Sequence, residues 1–268
     1  MDVLKKTNSD NQRQNNYFSD QKYINLCKFF PFNQMKNILV FLLFVCINNS
    51  ILCQKDKNIW YYGKYAGMNF NSGAPVELTN SAMNTLEGCS TVSDTSGQLL
   101  FYTNGTTVWN KNHLVMSNGT GLTTVALSEH TVSQTVIVKK PYSSTLYYVF
   151  SMEYQGFGGL QYAIVDISLN SGLGGVVSKN NVLVTPTCEK IAAIQHRDGD
   201  KFWIVVHLAN SSSYRSYLLY SGGVHPTYTT SSVGTFVPFF ANSTNEIGYM
   251  KSSPSCNNII PPKFKTAD

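Results

Sequence analysis

Gln98-Leu99-Leu100-Phe101-Tyr102-Thr103-Asn104-Gly105-Thr106-Thr107-Val108-Trp109 is the stretch on which the fold turns. Six residues rich in apolar and aromatic side chains run into Asn-Gly, and an apolar, β-branched segment follows. Asn and Gly both tolerate positive φ, so the pair predicts a two-residue hairpin turn between antiparallel strands. Upstream, Cys89-Ser90-Thr91-Val92-Ser93 reads as a strand ended by Asp94-Thr95-Ser96-Gly97. Earlier still, Ile59-Trp60-Tyr61-Tyr62 and Gly67-Met68-Asn69-Phe70 read as a first pair of strands.

The same phrase returns downstream. Thr135-Val136-Ile137-Val138, a turn at Lys140-Pro141-Tyr142-Ser143, and Leu146-Tyr147-Tyr148-Val149-Phe150-Ser151 form a second unit. A Gly-rich loop at 156–159 leads to its third strand, Leu160–Asp166. A third unit opens at Ile191-Ala192-Ala193-Ile194, turns at Arg197-Asp198-Gly199-Asp200, and continues through Lys201–Val206 and Ser216–Tyr220. A fourth opens at Ile247-Gly248-Tyr249-Met250. The starts Thr91, Val136, Ala192 and Tyr249 lie 45, 56 and 57 residues apart. Such a period fits propeller blades of about 40–50 residues with insertions. A β-sandwich also spaces its strands closely, but the near-constant repeat favours the propeller. The expected fold is therefore all-β: a partial, WD/kelch-like β-propeller of about three and a half blades, spanning 54–255. Residues 256–268, with Pro261-Pro262, break the pattern, because proline cannot donate to a ladder.

Composition agrees. Charged residues are 13% and aromatics 13% of the chain, the reverse of a disordered composition. The net charge of +5 sits mostly at the start: residues 1–53 hold six basic and three acidic residues, and 54–268 hold fourteen and twelve. No later basic cluster offers a nucleic-acid footprint. Ile38–Ile47 is an apolar run of ten residues, too short for a bilayer span of about 20. Met35-Lys36-Asn37 before it and a small residue after it make 35–53 a signal peptide, with cleavage between Cys53 and Gln54 or after Ser50. Residues 1–34 then read as a spurious upstream extension or a polar leader. The membrane is met only through the cleaved segment. Of six Cys, only Cys89, Cys188 and Cys256 follow the leader, and an odd number gives no disulfide framework.

Asn58-Ile59-Trp60-Tyr61-Tyr62-Gly63 and Ala66-Gly67-Met68-Asn69-Phe70 resemble the opening of a family of large secreted Bacteroidota proteins. Glu87–Asp94, Leu100–Gly105, Val108-Trp109-Asn110, Met116-Ser117-Asn118-Gly119, Tyr147–Phe150, Thr185–Lys190 and Ile247–Lys251 continue the resemblance in order and spacing. That family carries an N-terminal propeller-like region and, far downstream, a gliding-motility-associated (type B) sorting domain for type IX secretion. The resemblance implies a secreted or cell-surface module truncated before that domain, with the missing C-terminal blades of a parent protein as partners.

No Gly-x-Ser-x-Gly elbow, phosphate loop or His-Glu-x-x-His is present. His113, His130, His196, His207 and His225 have no metal-ligand spacing and read as structural. Only Arg197 and Arg215 follow residue 54, too few for a sialidase-like arginine cluster. No catalytic residue, metal site or cofactor is expected. One pattern suggests a ligand rim: Glu87, Gln134, Glu189 and Glu246 each precede an opening strand. Gathered around one channel, they would suit a hard cation or a polyhydroxylated ligand; otherwise they satisfy backbone groups or face solvent. Tyr61, Tyr62, Tyr65, Tyr147, Tyr154, Tyr214 and Tyr228 are candidates for stacking on a glycan or protein surface, with about half of such positions turned inward by strand alternation. The leading expectation is a non-catalytic binding or adhesion module. The alternatives are a carbohydrate-active hydrolase or lectin using rim carboxylates, and a structural spacer.

Overall fold

Period-two alternation sets the faces of the first strand. In β1 (Ile59–Tyr62), Ile59 and Tyr61 are buried while Trp60 and Tyr62 are exposed. The computed structural model describes residues 55–123, 132–238 and 247–252, all within the compact unit Gln54–Asp268. The signal-peptide segment, Cys53, Gln54, Glu246, Cys256 and Pro261-Pro262 lie outside the described residues.

The described chain is all-β. β1 pairs with β2 (Ala66–Asn69) and β2 with β3 (Val76–Leu78). β4 (Ser90–Ser93), β5 (Leu99–Thr103), β6 (Thr107–Asn110) and β7 (Val115–Thr120) form an antiparallel meander. β8 (Val132–Lys139), β9 (Leu146–Glu153), β10 (Leu160–Asp166) and β11 (Gly175–Val184) form a second. β12 (Thr187–Gln195), β13 (Phe202–Leu208), β14 (Tyr214–Tyr220) and β15 (Gly223–Ser231) form a third. A single parallel bridge, Gly175 with Ser117, joins the first two meanders into one eight-stranded sheet. Its edge strands β4 and β8 lie close together, so this sheet nearly closes on itself, barrel-like.

Apolar cores separate the layers in series. Ile59, Tyr61, Met83 and Tyr102 join the N-terminal sheet to the first meander. Phe101, Val108, Tyr147, Val149 and Val165 join the first meander to the second. Phe150, Met152, Ile204, Val206 and Leu219 join the second to the third. Beyond it, Ala192, Ile194, Val205 and Tyr214 meet Met250. β9 thus sends Tyr147 and Val149 one way and Tyr148, Phe150 and Met152 the other. A strand covered on both faces reads as an unbroken apolar run.

Several expectations change. Tyr61, Tyr147 and Tyr214 are core residues at 4%, 5% and 6% exposure, and offer no stacking surface; Tyr62, Tyr65, Tyr154 and Tyr228 are exposed. The Asn104-Gly105 turn is longer than two residues, because Thr103 pairs with Val108. Asn104 Oδ1 accepts from the backbone N–H of Thr106 and Thr107 at 3.1 and 2.8 Å, and Gly105 takes φ 83°. The asparagine therefore builds an Asx-type loop. Each meander also has an outer fourth strand, β7, β11 or β15, which the three-strand units did not include.

Candidate functional site

The meanders start close together. Residues just ahead of β4, in β8, in β12 and at 249–252 converge on a cavity of about 400 Å³. Its wall includes Glu87, Cys89, Gln134, Ala192, Tyr249 and Lys251. Ile247 forms a parallel bridge with Glu189, which brings the last described segment alongside β12.

The four predicted rim residues take different positions. Glu87 is exposed and lines the cavity. Gln134 also lines it, but its amide is engaged at both ends. Nε2 donates to the Gly248 carbonyl, and Oε1 accepts from the Ile191 N–H at 3.0 Å. Gln134 thus ties β8 to β12 and to 247–252. Glu189 is buried, at 3% exposure, and is not part of the wall. The ladder between β12 and β13 is irregular between Thr187 and Ile191. Such an irregularity resets side-chain direction, and Ile191, Ala192 and Ala193 face the cavity instead. Glu246 lies outside the described residues.

Two further wall residues, Tyr249 and Cys89, lie outside the predicted rim set. Tyr249 is 70% exposed, and the Lys251 ammonium lies 5.3 Å from its ring centroid, a cation–π arrangement. Cys89 is a free, half-buried thiol. Burial pushes its pKa up, against a backbone hydrogen bond with Gly63 that lowers it, so it stays a thiol rather than a thiolate.

A buried polar pair joins β12 to β13. Cys188 Sγ is 3.3 Å from His207 Nδ1, and the His207 ring meets Tyr214 edge-on at 4.6 Å. Cys188 is 0% and His207 2% exposed, so the pair is shut off from substrates and its role is structural. Burial and the nearby Lys190 charge lower the His207 pKa. A depressed histidine contributes stability that is fully present above its unfolded pKa and lost as pH falls below it. Resistance to urea should therefore fall as pH drops from about 6.5 toward the folded pKa. A His207→Gln variant, less stable at neutral pH, should lose that part of the slope; an unchanged slope would contradict a buried neutral His207.

Among the described residues, no group of three or more His, Cys, Asp or Glu side chains could hold a metal ion. Comparison with known protein families, with characterised proteins and with solved structures gives no match.

Proposed function

We propose that the meanders are blades of a partial β-propeller, and that the chain is an exported, non-catalytic module that binds a saccharide in the cavity where its blades begin. The observation that carries this reading is the convergence of four successive segments on one wall with mixed chemistry. Tyr249 presents an exposed ring for the apolar face of a sugar, and the Glu87 carboxylate accepts from ring hydroxyls. Meanders of four antiparallel strands stacked face to face are what blades look like. Export rests on the three-part leader around Ile38–Ile47 and on the resemblance to secreted Bacteroidota proteins, which also supports adhesion at a cell surface and the type IX route.

A glycan array should capture the chain on a restricted set of saccharides. Calorimetry on the best of them should show Glu87→Gln and Tyr249→Ala each losing about tenfold in affinity, or about 1.4 kcal/mol. Unchanged affinity in both variants would remove the cavity as the site. Turnover of the captured saccharide, lost in Glu87→Gln, would make the chain a hydrolase.

A further inference from the structure

Three segments of the cavity wall come together on one side chain. Gln134 stands on β8, and its amide reaches two other parts of the chain. Oε1 accepts from the Ile191 N–H on β12, 57 residues away, at 3.0 Å. Nε2 donates to the Gly248 carbonyl, 114 residues away. That carbonyl belongs to the planar peptide group that leads into Tyr249, so the bond fixes the plane from which the tyrosine departs. Segment 247–252 has two further anchors, the bridge from Ile247 to Glu189 and the Met250 side chain in the last core. It lies hard against β12, since a Cβ added at Gly248 would come 2.8 Å from Lys190 Cε. The exposed Tyr249 sits between the Gly248 and Met250 anchors.

We infer that Gln134 is the positioning residue of this cavity: its amide latches segment 247–252 to β8 and β12, and so sets Tyr249 and Lys251 on the wall. The consequence for capture rests on the saccharide reading; the latch itself does not. The task needs a donor and an acceptor on one planar group, which an amide or a protonated carboxyl provides and a carboxylate does not. A carboxylate at 134 would still accept from the Ile191 N–H, but would turn negative charge on the Gly248 carbonyl. Protonation would restore the donor. The other ionisable groups around the latch are Glu87, Cys89, Tyr249 and Lys251 on the wall, with Glu189 and Lys190 on β12. The wild type carries all of them, so each pH effect is read as a ratio to the wild type at the same pH.

Gln134→Glu should therefore act as a pH switch. At about pH 8, well above the ordinary Glu pKa of about 4.3, it should capture saccharide about tenfold more weakly than the wild type, the order of one lost hydrogen bond. The ratio should climb toward one as pH falls to about 4. Gln134→Leu should stay weak throughout. Cys89, half-buried on the same wall, reports the latch without any saccharide. Labelled with a maleimide at about pH 8 and located by peptide mapping, it should react about tenfold faster in both variants. Fully buried Cys188 should label no faster than in the wild type. Unchanged Cys89 labelling in both variants, or a capture ratio that stays flat with pH in Gln134→Glu, would overturn the inference. So would Cys188 labelling that rises with that of Cys89, because Gln134 would then hold the whole fold and not this segment. A wild type that captures no saccharide, with Cys89 responding as stated, would remove the saccharide reading and leave the latch standing.

Discussion

Replacing Phe150 by alanine is expected to destabilise the fold by about 3–5 kcal/mol, the range for emptying a buried phenylalanine site. Phe150 is fully buried on β9. It projects into the core shared by the second and third meanders, with Met152, Leu160, Ile204 and Leu219 around it. The Tyr148 and Tyr162 rings lie 5.9 and 5.8 Å away. Facing sheets are held about 10 Å apart by all their interdigitated side chains. Removing one ring cannot bring them together, so the cavity stays open. Phe150→Leu should cost about 1.5 kcal/mol, because most of the volume remains. Leu114→Ala is the control: at 62% exposure it should change stability by under about 0.5 kcal/mol. Urea midpoints at constant m-value measure all three. A loss below about 1 kcal/mol at Phe150 would mean the two meanders do not share this core.

The inner strands were legible in the sequence because their side chains decide their burial. Leu146–Ser151 and Lys201–Val206 are apolar runs bounded by turn residues, and both became strands covered on two faces. The outer strands were not legible. β11 holds Ser178, Lys179, Asn180 and Asn181, and β15 ends in six exposed residues that begin with Pro226. Such segments become strands by pairing with β10 and β14 rather than through any pattern of their own. Tyrosines at 147 and 148 were equally hard to assign, because both faces of β9 are buried and alternation loses its meaning there.

The rim shows a similar limit. Spacing alone places Glu87, Gln134 and Glu189 near the starts of three adjacent meanders. Which way each side chain points depends on ladder register, and the irregularity between Thr187 and Ile191 takes Glu189 away from the cavity. Nothing in the sequence marked the buried polar contact between Glu153 and Gln161, where Gln161 Nε2 donates to Glu153 Oε1 at 2.6 Å. Buried polar pairs have no period. The glycine loop makes room for this one: a Cβ at Gly158 would sit 1.6 Å from Glu153 Oε2.

That loop carries the second large effect: Gly156→Ala is expected to destabilise the fold by about 4 kcal/mol, the upper range for single substitutions. Gly156 has φ +69°, and an added Cβ would sit 1.6 Å from the Thr187 carbonyl oxygen. Positive φ alone costs a side chain about 1–2 kcal/mol. The rest comes from the close approach, because a backbone carbonyl cannot rotate aside as a side chain can. Thr187 begins β12 and pairs with Leu208, so moving it strains the first rungs of the third meander. Gly73→Ala separates the two contributions. Gly73 has φ +89° with nothing within 4 Å of the added Cβ, so it should lose only the conformational part, about 1–2 kcal/mol. Equal losses at the two glycines would show that the loop does not press on β12. Because β12 continues into Ile191, Ala192 and Ala193 on the cavity wall, Gly156→Ala should also weaken saccharide capture below its melting temperature. Gly73→Ala, far from that wall in sequence and on a different sheet, should leave capture unchanged.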